Sequence, residues 1–273
     1  MTPYPNLISE SVLVNETIEL LLSTGGRASA VKVVDYVMKI RVPEPEIAKL
    51  LVSDLIETDP RLYLNEDTVE LIEQNLEQRI LSETDFVVFD LETTGAKTPP
   101  CRITEIGAYR VKSGKITDEF HTLVNPETPI PIFISQLTGI SDAMVRNAPK
   151  FREVAADFLN FIGDSVMVAH NAHFDMRFLN HEIGRIHDEY RLANPHLCTV
   201  QLSRKLLPHI ENHRLNTVAQ YFNVALINHH RASEDARATA HIFVNLLEEL
   251  ELRGISDLAT AKKLKAESKR SGR

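Results

Sequence analysis

Asp90 and Glu92 stand two residues apart at the end of a short apolar run, FVVFDLE, directly before Thr93-Thr94-Gly95. Alternate side chains of an extended strand share a face, so this spacing turns both carboxyls the same way. Side by side they repel, which costs free energy unless a cation lies between them. Most D-x-E pairs are solvated surface residues, but the four apolar residues in front argue against a wholly exposed strand. Another acid, Asp175, closes the string His170-Asn171-Ala172-His173-Phe174-Asp175, which joins a short apolar run to a helical pattern. A carboxylate at a helix start also caps free backbone N–H groups, and capping alone would account for it. A third group, HRASED from His230 to Asp235, enters the last long helical pattern with the histidine five residues before the aspartate. With His230 just ahead of the first turn, both would face one site; the bland reading is a surface histidine followed by ordinary helix charge spacing. Glu105, in the strand-like ITEIG, and LTGI at 137–140 complete the set, Glu105 being either a site acid or a structural one.

Taken together, Asp90, Glu92, Asp175 and Asp235 offer four carboxylates, and His230 a titratable base. Hard oxygen donors in this number suit Mg²⁺ or Mn²⁺ rather than zinc. Two such ions ~3.5–4 Å apart activate a water and neutralise a leaving oxyanion, which is what phosphodiester hydrolysis needs. Histidine, with an unperturbed pKa of about 6.5, accepts the water's proton near neutral pH. Without metal the four carboxylates would repel phosphate, and bound cations invert that field.

These residues must be carried by an α/β domain. FVVFDLE reads as a buried strand, and ITEIGAYRVK and KITDEFHTLVN as the next two, parted by Ser113-Gly114. VMVAH at 166–170 is a further short strand. Helical patterns cover 151–162, 174–188, 199–206, 214–222 and 232–252. Ahead of this domain lies a different one. Apolar residues recur at helical spacing over 9–24, over 28–40 and from Ile47 to Leu55, and RLYL and TVELI flank Asn65-Glu66-Asp67 as a hairpin. Three helices and a hairpin is the order of a winged helix, and would equally serve a plain helical appendage. Residues 72–84 read as a polar helical connector. The expected division is therefore a small N-terminal domain at 1–82, an α/β domain at 83–252, and a basic flexible tail at 253–273.

The 273 residues carry a formal net charge of −8, which argues against holding nucleic acid through a broad basic surface. Residues 1–82 hold 14 acids and 7 bases, while the remainder is nearly balanced, with 24 and 23. An acidic N-terminal domain would repel phosphate, so it reads as a protein-contact module rather than a DNA reader. No apolar run approaches the ~20 residues that span a bilayer. Cys101 and Cys198 lack CxxC spacing, which excludes a disulfide framework and points to a reducing cytoplasm.

Seven strings, FVVFDLETTG, RITEIGAYRV, LVNPETPIP, LTGISDAMVRNAPKF, VAHNAHFDMRFL, NHRLNTVAQYF and HHRASEDARATA, together resemble one family. It is the DEDDh branch of 3′–5′ exonucleases, of the proofreading type found in the DNA polymerase III epsilon subunit and the PolC exonuclease domain. The resemblance runs from about Phe86 to Leu250. It implies a ribonuclease H-like fold, a mixed five-stranded sheet flanked by helices. It implies hydrolysis of DNA 3′ ends, single-stranded or frayed, releasing nucleoside 5′-monophosphates. By motif, Asp90, Glu92, Asp175 and Asp235 would hold two Mg²⁺ or Mn²⁺, with Asp90 bridging, and His230 would be the general base. Thr93 and the backbone near Gly95 would approach the terminal nucleotide, and Phe174 would pack or touch a base. His173, His213 and His229 read as solvated surface. The tail lacks the glutamine-led apolar peptide that follows the nuclease domain in replicases, and the simple epsilon pattern has no N-terminal domain of this kind. A role beside a polymerase subunit and a stand-alone repair role therefore both remain. So do an exoribonuclease of the RNase T or oligoribonuclease kind and a non-catalytic nucleic-acid-binding module.

Overall fold

A computed structural model describes residues 4–72, 76–226 and 230–264. His229 and the tail from 265 onward lie outside the described residues. The chain divides into two compact units, residues 1–75 with 183–193, and residues 76–182 with 194–273.

The first unit runs β1 (Leu7–Ser9), α1 (Val12–Ser23), β2 (Arg27–Ser29), α2 (Ala30–Tyr36), α3 (Pro45–Ile56), β3 (Leu62–Asn65) and β4 (Thr68–Leu71). The Ser29 hydroxyl caps α2 by accepting the Lys32 N–H, and Pro45 opens α3, where its missing N–H costs nothing. Val14, Leu21, Val33, Val34, Val52 and Val69 are fully buried and form its core. The expected hairpin is present, β3 against β4, but β2 also pairs with β4 and makes a three-stranded antiparallel sheet. Three residues are too few to show strand alternation, so β2 was hidden in the helical pattern over 28–40.

The second unit carries β5 (Phe86–Thr93), β6 (Ile103–Lys112), β7 (Lys115–Leu123), α4 (Ile132–Thr138), α5 (Asp142–Val145), α6 (Phe151–Ile162), β8 (Val166–Ala169) and α7 (Ala172–Ile186). After β9 (Tyr190–Leu192) come β10 (His196–Cys198), α8 (Thr199–Leu206), α9 (Leu215–Tyr221), α10 (Ala232–Leu252) and α11 (Leu258–Lys263). The last residues of α7 and the short β9 belong to the first unit, where β9 pairs with β1. The five-stranded sheet has the order β10-β8-β5-β6-β7, with β10, β8 and β5 parallel and β6 and β7 antiparallel. This is the mixed sheet flanked by helices that the sequence led us to expect.

β5 is central because its first four residues are apolar on both faces, and all four are buried. Phe86 and Val88 join Val166 and Val168 in one core with Phe243, Leu246 and Leu250 of α10. Phe86 meets Phe243 edge to face, centroids 4.8 Å apart. The alternate residues Val87, Phe89 and Met167 are equally buried, so the sheet is covered on both sides. Nearer its start α10 buries several small side chains, among them Ala232, Ala236 and Ala240, and these let the helix come close to the sheet.

Two expectations are corrected. The connector at 72–84 is no continuous helix. Its described part holds two 3₁₀ turns, Leu76–Gln78 and Leu81–Glu83, joined by extended residues. Ile80 bridges Asp257, and the Leu81 and Leu258 N–H groups donate to Ser256 and Arg79. These long-range bonds outweigh local helix propensity. The same pairing corrects the tail, which does not become flexible at 253. Asp257 caps α11, and Leu258 and Ala261 are fully buried.

Candidate active site

β5 delivers Asp90 and Glu92 in the alternation its sequence predicts, at the point where the apolar run ends. Asp235, in the first turn of α10, comes to the same place: one carboxylate oxygen from each of Asp90, Glu92 and Asp235 lies within 4.8 Å of the others. Asp175 stands outside this trio, at the start of α7, where it is buried and accepts the Leu91 backbone N–H as well as its own. Its charge is the largest of those acting on Asp90. Segments far apart in the chain thus bring Asp90, Glu92 and Asp235 together, with Asp175 near enough for its charge to act on Asp90.

Their electrostatics are those of crowded like charges. Burial, then Asp175, Glu92 and Asp235, push the Asp90 carboxyl well above its usual range. Glu92 is pushed up to about 8 by burial and by Asp235, Glu105 and Asp175, with Arg231 the one charge opposing them. Burial raises Asp175 too, against the lowering by its two backbone N–H donors. All-oxygen donors, crowded and partly desolvated, fit a hard divalent cation, which removes this repulsion when it binds.

His230 closes the loop before α10. Its backbone N–H donates to Asp235 Oδ2 at 2.9 Å, and its φ of 72° is left-handed. A non-glycine residue held in that conformation at a loop–helix junction is a local strain, of the kind found at functional sites. Thr93 is buried, its hydroxyl donating to the Gly95 carbonyl at 2.7 Å, so the turn after β5 is tied back on itself. A Cβ on Gly95 would lie 2.8 Å from Cys101 Sγ, which is why the chain needs no side chain there. Phe174 is half-buried and stacks on the core residue Phe178, centroids 4.8 Å apart, so packing is at least part of its role.

The sequence reading singled out Glu105 but not its partners. Glu105 is fully buried on β6, where the side chain of Arg231 reaches it at 2.7 and 3.1 Å, the Ala232 N–H at 2.9 Å and His121 Nε2 at 2.7 Å. Burial alone would raise its pKa, but these hydrogen bonds outweigh it and hold the carboxyl below its usual range. The acid therefore anchors the first turn of α10, and with it Asp235, to the sheet. Gly107, two residues on, completes the seat: a Cβ there would lie 2.4 Å from the Ala232 and Ser233 backbone. An acid inside an otherwise apolar strand, ITEIGAY, was the available signal, since a buried carboxylate requires partners.

Comparison with known proteins identifies relatives of the domain that carries these residues. The exonuclease family model (RNase T type) matches residues 87–243. A PolC-type DNA polymerase III of Caldanaerobacter subterraneus subsp. tengcongensis is 43% identical over 197 residues, which is 72% of this chain and 14% of that protein. The PolC-type DNA polymerase III of Bacillus subtilis is 42% identical over 184 residues, 67% of this chain and 13% of its own length. The chain thus spans about one seventh of these relatives. Among solved structures, exonuclease X in complex with 5′-overhanging duplex DNA is 26% identical, with a TM-score of 0.54, over 66% of this chain and 99% of that one. Escherichia coli exonuclease I in complex with a dT13 oligonucleotide shares the fold at 16% identity and TM-score 0.55, over 63% of this chain and 42% of that one. Among the described residues, no helix is long and apolar enough to cross a membrane.

Proposed function

The chain belongs to the exonuclease family, and from that premise we propose that it is a divalent-metal-dependent 3′–5′ exonuclease acting on single-stranded or frayed DNA ends. The observation that carries this reading is the convergence of Asp90, Glu92 and Asp235 within 4.8 Å, with Asp175 buried beside Asp90. These four would hold two Mg²⁺ or Mn²⁺, whose chemistry is to activate water and to neutralise charge on the leaving 3′ oxygen. His230 takes the water's proton. Its backbone N–H donates to Asp235, so the residue sits against one of the four acids. The turn at Thr93 and Gly95 receives the terminal nucleotide, and the exposed side of Phe174 lies against its base or sugar.

DNA is proposed over RNA because relatives 42–43% identical to the chain are named as DNA polymerases. A polymerase subunit is the partner this kinship favours. The N-terminal unit, acidic and with Leu50 and Val42 exposed, is proposed as the protein-contact module. The test is a matched pair of 5′-labelled oligonucleotides, one DNA and one RNA, incubated with the full chain and Mn²⁺. Stepwise shortening of the DNA, stopped by EDTA, is the expected result. Faster trimming of the RNA would replace this reading with the exoribonuclease one, and no trimming of either would leave a binding module.

A further inference from the structure

A cavity of about 750 Å³ opens between the loop from β8 into α7, the helix α8 and the approach to α9. It is lined by Asn171 and His173, on the segment that carries Asp175, and by Arg204, His213 and Arg214. No aspartate or glutamate lines it, although the chain as a whole has a net charge of −8. Arg204 and Arg214 are exposed, and among the described residues neither guanidinium has an acidic partner. The Nδ1 atom of His213 is buried without a hydrogen-bond partner. Burial first, and then the nearby Arg204 charge, lower the His213 pKa, which favours the neutral imidazole there. Two unpaired guanidinium forks, an unsatisfied imidazole nitrogen and a side-chain amide around one space make a receptor for a phosphate oxyanion.

We propose that this cavity is a second substrate subsite, in which Arg204 and Arg214 hold a phosphodiester of the strand upstream of the bond hydrolysed at the carboxylates. The proposal rests on the nuclease reading above for the identity of the strand. It adds to it the part of the protein that grips the polymer rather than its end. It also explains how an acidic chain binds a polyanion: the cations are gathered in one cavity instead of spread over a face.

The test uses the full-length chain and two probes. A 5′-fluorescein-labelled ten-residue oligothymidylate, followed by anisotropy in Ca²⁺, reads the grip on the strand. The p-nitrophenyl ester of thymidine 5′-monophosphate, which has no upstream phosphate, reads the carboxylate site in Mn²⁺. Arg204→Ala/Arg214→Ala should weaken oligonucleotide binding about tenfold or more and lower the slope of log Kd against log salt by about 0.7, the value for one single-strand phosphate contact. Ester hydrolysis should be unchanged, and Arg204→Lys/Arg214→Lys should restore most of the binding. Unchanged oligonucleotide affinity and salt slope in the alanine variant would overturn the subsite, whatever the ester shows. Failure of the wild-type chain to hydrolyse the ester, with binding still dependent on the two arginines, would sink the nuclease reading and leave the phosphate site standing.

Discussion

Glu92 on β5 lies directly opposite Glu105 on β6 in the antiparallel register, yet the two carboxyls are driven in opposite directions. Glu92 is pushed up to about 8, whereas Glu105 is held below its ordinary range by Arg231, His121 and the Ala232 N–H. One of the paired acids is saturated with protein donors and serves the framework. The other is left with like charges around it and is the one proposed to hold a cation. That division of labour between neighbours on one sheet underlies the predictions below.

The acids proposed to hold metal should be removable without unfolding the chain, since each relieves repulsion when neutralised. Asp90→Ala and Asp235→Ala should lower kcat by ~10³-fold or more, the scale on which electrostatic stabilisation of a transition state is lost. Circular dichroism should show the fold intact in both. Wild-type rates in either variant would contradict the assignment.

His230→Gln should lower kcat by ~10²–10⁴-fold, the usual contribution of a positioned base, while metal affinity stays within a few-fold. The acidic limb of the wild-type kcat profile should disappear in the variant. If that limb persists, the proton goes to another group.

Glu92, Asp90 and Asp175 should make the metal-free protein less stable as pH rises. Their folded pKa values are raised, so the folded chain keeps protons that the unfolded chain has already released. Unfolding then releases protons, and stability is lost between the unfolded values, near 4, and the folded value of Glu92, about 8. In EDTA the Tm should fall across that window. Glu92→Gln should flatten the fall, and saturating Mn²⁺ should abolish it. A Tm that rises over the same range would show the cluster to be compensated already.

Glu105 works in the opposite sense. Its pKa is lowered, so its contribution is present above the unfolded value and is lost as pH falls through the folded one. Glu105→Gln leaves the Arg231 charge without its partner and should cost about 2–3 kcal/mol in urea denaturation. As a positioning residue, it should also weaken Mn²⁺ binding, with activity rescued by excess metal. A purely structural role would leave the metal affinity alone. Gly107→Ala should show the same pattern, because its methyl would meet the Ala232–Ser233 backbone at 2.4 Å and displace the turn that carries Asp235.

Much of this was legible in the sequence for identifiable reasons. FVVFDLE announced a buried strand ending in two acids because apolar residues on both faces fit only a central strand, and the structure agrees. The long helices α6 and α10 were found by their periodicity almost to the residue. What was missed was short or set by distant partners. β2, β9 and β10 have three residues each, too few to display alternation, and are defined by the strands they join. The connector and α11 were misjudged because each is held by the other, through Ile80 and Asp257. Arg231 gave no sign of its role, since an arginine at a helix start reads as solvated until Glu105 is placed opposite it.

Asp90, Glu92, Asp175 and Asp235 are proposed to hold divalent cations together. Titration of the full-length protein with Mn²⁺, followed by electron paramagnetic resonance, tests this without depending on any substrate. Two ions should bind per wild-type chain, and Asp90→Asn should abolish at least one of them while the fold persists. Equal Mn²⁺ binding by the wild-type and variant proteins would contradict it.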